Sequence, residues 1–178
     1  MAQVQLVKHK LEYSERIYEL SSAPQVKDAL ALPDGTVADT KRFIASILQE
    51  EDEGKTVSRL ILDEEQRVIG ITTLMFIDRE NKSCHIGTWI GHEYWGKGYN
   101  QVSKVAMLRI AFQELGLQYV FAGARKTNTR SQKAQEKLPF IKLHVEEEFP
   151  EEHLALEKKE QQPCVLHVFK KEDFQQYF

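Results

Sequence analysis

Apolar residues recur at helical spacing through the first third of the chain and at alternate positions through the second. A short apolar stretch at 4–7 reads as a strand. Over 11–23, Leu11, Ile17 and Leu20 mark one side of an otherwise polar segment, which predicts an amphipathic helix. Pro24 either ends that run or opens a second short helix over 25–30, and Pro33-Asp34-Gly35 is a turn. Thr36 or Asp39 then caps a helix through Phe43, Ile44 and Ile47, which runs into the acidic stretch 50–53 before Gly54. Negative charge opposes the dipole at a helix C-terminus, so this stretch is expected to face solvent and fray.

The period changes at residue 56. Segments 56–62, 68–77 and 83–90 read as three strands joined by the polar turns 63–66 and 78–81, an antiparallel meander with Gly70 placed for a bulge. In the third strand, Cys84, Ile86, Thr88 and Ile90 share one face, and Ser83, His85, Gly87 and Trp89 the other. A long helix over 98–115 follows, with Val102, Val105, Leu108, Phe112 and Leu115 as its apolar stripe and Gly116 as its C-cap. Next come a strand at 119–124, a helix capped by Thr127 or Asn128 and running to 138, and two closing strands at 140–145 and 164–169. The intervening 146–162 holds seven acidic residues against two lysines and reads as a surface loop or short exposed helix. No repeat or linker interrupts this order. The expectation is one domain, 1–178, of mixed α/β class, centred on the strand-helix-strand-helix unit of 84–138.

Composition narrows the function. Hydrophobic residues are 42% of 178, and 24 Lys plus Arg stand against 27 Asp plus Glu, a formal net charge of -3. That excludes a disordered chain and argues against a nucleic-acid binder recognised by bulk charge. No membrane-spanning run or leader is seen, and Cys84 and Cys164 are too few for a disulfide framework or a zinc site. A cytoplasmic protein without a metal is expected.

Chemistry concentrates at Tyr94-Trp95-Gly96-Lys97-Gly98-Tyr99, between a strand and the long helix. Two glycines one residue apart let backbone amides approach a ligand, the helix N-terminus favours an anion, and Lys97 adds a charge. The same residues also suit a plain tight turn. The spacing matches neither GxxxxGK[ST] nor GxGxxG, since Asn100 and Gln101 follow. A second feature is 125–133, where Arg125, Lys126, Arg130 and Lys133 stand with Asn128 and Ser131 and no acidic residue. Thr129 and Gln132 are better read as cap and solvated face. These two helix starts are expected at the same ends of neighbouring elements, which favours one shared anionic cofactor.

The glycine turn, the long helix, the strand, Asn128-x-x-Ser131 and then 136–140 together resemble the GNAT superfamily of N-acetyltransferases. The resemblance is closest to the RimJ/RimL-like branch that acetylates ribosomal-protein N-termini, whose Asp-Thr-x-x-Phe-Ile opening matches 39–44. It covers nearly the whole chain. It implies a twisted mixed sheet with splayed parallel strands between which acetyl-CoA enters. Its acyl-CoA signature falls on Trp95, Gly96, Lys97, Gly98, Tyr99 and Asn100, with amides from Lys97 through Gln101 to Val102 holding the pyrophosphate. Asn128 would contact the pantetheine arm or order its loop, with Arg130 and Lys133 on the cofactor side. In this branch Ser131 would lie near the thioester sulfur and protonate or, as the safer role, hydrogen-bond the departing thiolate; the tyrosine that other branches use falls on Gln135, which cannot act as an acid. Three positions depart from the pattern: Asn100 replaces a small residue, Pro139 replaces a glycine, and Trp95 stands where Gln or Arg is common.

The implied reaction is direct attack of a primary amine on the acetyl thioester, driven by proximity and by a polarised carbonyl. His85 and Glu93 are the candidate bases. His85 equally suits a packed histidine and Glu93 an ordinary exposed residue. The acceptor is a protein N-terminal amine or a small-molecule amine, a homodimer is left open, and no membrane partner is expected. Two rival readings stand beside this one: an acyl-CoA-binding regulatory domain without catalysis, and a ribosome- or RNA-associated module using 125–133.

Overall fold

Alternating apolar positions and short polar turns produce most of the sheet. The computed structural model describes residues 1–178. Its seven strands are β1 (Gln5–Lys8), β2 (Val57–Leu62), β3 (Val68–Asp78), β4 (Ser83–Ile90), β5 (Tyr119–Arg125), β6 (Ile141–Lys142) and β7 (Cys164–Lys170), in the order β1-β2-β3-β4-β5-β7-β6. The mixed α/β class expected from the sequence is found. The chain forms two compact units, one of Met1–Ile77 with Gly87–Arg109, the other of Asp78–Ile86 with Ile110–Phe178.

In the first unit, α1 (Ser14–Ser22) and α3 (Val37–Asp52) pack their buried side chains with those of β2 and β3, and α2 (Pro24–Leu30) lies against α1. Pro24 opens α2 rather than only closing α1, because its fixed φ suits a first helical turn. Thr36 and Asp39 form a reciprocal capping box: Thr36 Oγ1 accepts the Asp39 N–H at 3.3 Å, and Asp39 accepts the Thr36 N–H at 2.8 Å. Those donors hold the Asp39 carboxyl below its usual range. The acidic stretch at the end of α3 does not fray as expected. Glu51 accepts the Ser58 N–H at 3.0 Å and pairs with Arg59 at 2.9 Å, and Glu50 accepts the Thr56 hydroxyl at 3.1 Å. These partners on β2 and just before it offset the unfavourable dipole. Ile17, Leu20, Ile44, Leu60, Ile69 and Ile71 form the core.

Register in the β2–β3 pair shifts between Ile61↔Gly70 and Leu62↔Val68, so the bulged residue is Ile69, beside the glycine expected to mark it. Gly70 has a different reason to lack a side chain: a Cβ there would run into the carbonyl oxygen of Trp89.

A polar chain runs beneath this sheet. His9 Nε2 bonds Ser58 Oγ at 2.8 Å, and Ser58 Oγ bonds Thr73 Oγ1 at 2.8 Å. His9 is 5% exposed, and burial lowers its pKa from 6.5 to about 4 against the opposing pull of Glu51. The folded state therefore binds fewer protons than the unfolded state between those values. Stability from this group is full above pH 6.5 and is lost as pH falls toward about 4. The loss is about 3 kcal/mol at 1.36 kcal/mol per unit. His9→Gln, which keeps a donor toward Ser58, should lose that part of the acid slope, as read from urea unfolding at pH 7, 5 and 4.

In the second unit, β5 and β7 pair antiparallel over seven residues, from Tyr119↔Lys170 to Arg125↔Cys164, while β6 adds only Ile141↔Phe169 and Lys142↔Val168. One face of β7 sends Leu166 and Val168 against Phe121, Val145 and Leu156. From the opposite face Phe169 packs on Phe140, which packs on Phe174 and through it on Phe112.

Three expectations change here. The strand at 140–145 is two residues long, and His144 has turned into left-handed backbone at φ 54°. The segment 146–162, expected as a surface loop or a short exposed helix, contains the helix α6 (Pro150–Glu160), which is not wholly exposed, since its Leu156 is buried. The closing strand is followed by a helix not expected from the sequence, Lys171–Gln175. The long helix also differs from expectation. It is α-helical over α4 (Tyr99–Arg109) and π-helical over Ile110–Glu114, and Gly116 then takes φ 67° as expected of a C-cap. Its buried side is Ser103, Lys104, Met107, Leu108, Ala111 and Phe112, with Val102 and Val105 only half-buried.

Candidate functional site

In the first unit the segment after β4 is pinned before it reaches the glycines. Tyr94 is buried, and its hydroxyl accepts Arg16 Nη2 at 3.0 Å. The Trp95 indole N–H donates to the Ile90 carbonyl at 2.7 Å. Past these anchors, Gly96 and Gly98 take φ 74° and 88°, backbone that residues with a Cβ rarely adopt. A Cβ on Gly96 would meet nothing within 4 Å, and one on Gly98 would meet only the Ala2 side chain at 3.7 Å. The glycines are thus required by conformation, and the space above their amides is open. The first bond of α4 runs from the Val102 N–H to the Gly98 carbonyl at 3.2 Å, so the amides of Tyr99, Asn100 and Gln101 have no intrahelical acceptor. Tyr99 turns its hydroxyl to Glu64 at 2.6 Å, and that carboxylate pushes its pKa up to about 12. Lys97 is exposed, with Nζ 5.9 Å from the Tyr94 ring centroid. Open amides at a helix start beside a lysine fit a phosphate group, and with it the pyrophosphate of acetyl-CoA.

In the second unit β4 pairs parallel with β5 through Ser83↔Tyr119, Cys84↔Val120 and His85↔Phe121, and no further. His85 is buried at the end of this ladder, 5.3 Å from the Phe121 ring centroid, and its Nε2 lies 2.5 Å from Glu152 Oε2 of α6. Beyond β5 begins α5 (Thr129–Glu136), capped by Asn128, whose Oδ1 accepts the Ser131 N–H at 3.1 Å. Gln132 is no solvated face residue: its amide donates to the carbonyls of Arg125 and Lys126, both at 3.0 Å, and closes the turn. Gln135 is buried and donates to the Gly123 carbonyl at 3.1 Å and to Ser131 Oγ at 3.4 Å. Arg125 pairs with Glu160 at 3.4 Å, which draws one charge out of the basic stretch, and Arg130 has its pKa lowered by desolvation.

Comparison with known proteins gives these features a family. Residues 3–141 match the model of the acetyltransferase (GNAT) domain. The chain belongs to the GNAT acetyltransferase family. Among relatives, it is 29% identical over 139 residues to the uncharacterized N-acetyltransferase p20 of Bacillus licheniformis, covering 77% of this chain and 78% of that one. It is 32% identical over 72 residues to the putative ribosomal N-acetyltransferase YdaF of Bacillus subtilis strain 168, covering 40% and 39%. Its fold matches the microcin C7 self-immunity acetyltransferase MccE, solved in complex with acetyl-CoA and AMP, with a TM-score of 0.69 at 19% identity over 79% of each chain.

As a GNAT acetyltransferase the chain is of the enzyme class expected from its sequence, acetyl-CoA-dependent N-acetyltransferase. Its expected site residues fall into two groups. Trp95 through Val102 form the glycine turn and the first turn of α4 in the first unit, with Trp95 and Tyr99 committed to protein partners through their side chains. Asn128, Arg130, Ser131 and Lys133 stand on the cap and first turns of α5 in the second unit, with His85 on β4. Glu93 lies on the exposed turn His92–Tyr94 and makes no hydrogen bond. Glu152 was missed. The signal was present, because Val145, Phe149, Glu152 and Leu156 follow helical spacing and Glu152 falls in line with three apolar residues. No helix of the chain is long and apolar enough to cross a membrane.

Proposed function

We propose that this chain transfers the acetyl group of acetyl-CoA to a primary amine by direct attack within a ternary complex. The acceptor is a protein N-terminal amine or a small-molecule amine. The observation that carries this reading is the glycine turn, whose positive φ angles leave the amides before Val102 without acceptors at a helix N-terminus. In this reading the amides from Lys97 to Gln101 bind the pyrophosphate, with Lys97 supplying charge, while the Val102 amide is committed to the Gly98 carbonyl. Asn128 orders the start of α5, Arg130 and Lys133 line the cofactor side, and Ser131 hydrogen-bonds the departing thiolate. When bound, acetyl-CoA supplies an acyl group activated as a thioester. The family match runs through residues of both units, which supports one catalytic domain. The partial likeness to YdaF, named for ribosomal acetylation, supports the branch that modifies protein N-termini. Two buried, unpaired cysteines suit the cytoplasm.

The test is isothermal titration with acetyl-CoA and with CoA, followed by thiol-release assays. The amine panel is a basic peptide with a free N-terminus, spermidine, an aminoglycoside and a free amino acid. Micromolar binding with thiol release toward at least one amine is expected. No binding up to millimolar ligand overturns the cofactor reading, and binding without transfer to any amine identifies a regulatory acyl-CoA-binding domain instead.

A further inference from the structure

We propose that Glu152 is the carboxylate that receives the acceptor's ammonium group and takes its proton, and that His85 is the positioning residue that aims it; the proposal rests on the acetyltransfer reading above. His85 is the last residue of β4 still paired with β5, so it stands where the parallel ladder ends. Its ring is buried against Phe121, which packs edge-on against Phe149 at 4.9 Å between ring centroids. This fixes the ring plane. Nε2 is then directed at Glu152 Oε2 across 2.5 Å, within hydrogen-bonding reach.

The two partners are not equally hidden. The His85 side chain is 8% exposed and that of Glu152 is 32% exposed. The imidazole lies inside and the carboxylate outside it, which is the order needed if the carboxylate is to meet a ligand while the histidine holds it. One carboxylate oxygen is committed to His85, and Glu152 has a second oxygen to offer an N–H donor. Phe149, one turn earlier, and Tyr119, whose ring centroid is 5.6 Å from that of Phe149, supply aromatic surface near the same helix start. A carboxylate beside aromatic rings suits an alkylammonium ion.

In the transfer step Glu152 accepts one proton from the ammonium. The nitrogen lone pair so released forms the C–N bond to the acetyl carbon. The C–S bond breaks with its electron pair leaving on sulfur, and a second amine proton ends on that sulfur. Glu152 then returns its proton to solvent. A purely structural reading makes the pair a strut tying α6 to β4, and the two readings part experimentally.

The probe is whichever amine of the panel the wild-type protein acetylates, measured by thiol release at saturating acetyl-CoA. Glu152→Gln keeps the shape of the side chain and can still bond His85, so a strut survives it. It is expected to lower kcat/KM for the amine by about 10²-fold or more, with the acetyl-CoA affinity from titration unchanged. Glu152→Asp should recover part of the loss. His85→Leu should raise KM for the amine, and His85→Gln, which retains an N–H donor, should recover most of that loss. Glu152→Gln with wild-type kcat/KM overturns the proposal and leaves the strut. Failure of the wild type to acetylate any amine of the panel overturns both this proposal and the function on which it rests, while loss of transfer in Glu152→Gln alone separates the two.

Discussion

Gly98→Val is expected to abolish measurable acetyl-CoA binding while leaving the protein folded. At φ 88° a β-branched residue is strained by roughly 1–3 kcal/mol, so the turn relaxes to negative φ and takes the neighbouring amides with it. The fold survives because a Cβ at this position would meet only the Ala2 side chain, at ordinary contact distance. The strain is thus spent on the shape of the turn and not on the core. Affinity from several converging amides depends on their common direction, and its loss should exceed about 100-fold by titration. Lys97→Ala tests the other contribution at the same site. An exposed lysine acts through a screened point charge, so its removal should cost less, roughly 1 kcal/mol, and the cost should shrink as salt is added. A melting temperature close to wild type for Gly98→Val, together with undiminished acetyl-CoA affinity, would move the cofactor away from this turn altogether.

The turn was readable in the sequence because glycine takes the positive φ of Gly96 and Gly98 with least strain, and β4 because polar and apolar residues alternate along it until Thr88 and Trp89. Asn128 was readable as a cap for the same reason: short side chains that bond their own backbone have few other uses ahead of a helix. Other features were hidden by packing that sequence spacing does not encode. In α4 the apolar residues lie on more than one side, and Val102, Val105 and Leu108 offered a plausible stripe. The fold instead buries Met107, Leu108, Ala111 and Phe112 and carries Ser103 and Lys104 in with them. In α6 the acidic residues outnumber the apolar ones, and three anchors, Val145, Phe149 and Leu156, were enough to pack the segment. Helical spacing already put Glu152 in line with those anchors, and it was β4, by bringing His85 to it, that marked it as a candidate site residue.

Lys104→Met is expected to stabilise the protein at neutral pH. Lys104 is 5% exposed, forms no ion pair or hydrogen bond, and has its pKa lowered by burial alone from 10.5 to about 8. The unfolded chain therefore holds this proton more tightly than the folded one. Below pH 8 the ammonium stays charged inside the fold, and the full cost, about 3 kcal/mol at 1.36 kcal/mol per unit, bears on stability. Between pH 8 and 10.5 the folded protein sheds the charge and the cost falls, and above 10.5 it is gone. Methionine has a similar length, needs no partner and lies in line with Met107, Leu108 and Phe112. Urea unfolding of both proteins at pH 7 should show the variant more stable by up to about 3 kcal/mol, with a gap that narrows as the buffer approaches pH 10.5. Equal stability at pH 7 would mean that the ammonium finds an acceptor in solution. Ser103, fully buried with its hydroxyl unpartnered, adds a smaller increment of the same sign: Ser103→Ala removes an unsatisfied donor worth roughly 1 kcal/mol. Because both residues lie on the packed face of α4 and the glycine turn lies before its first residue, acetyl-CoA titration of the double variant is expected to return the wild-type affinity, which separates the stability of this helix from the work of its N-terminus.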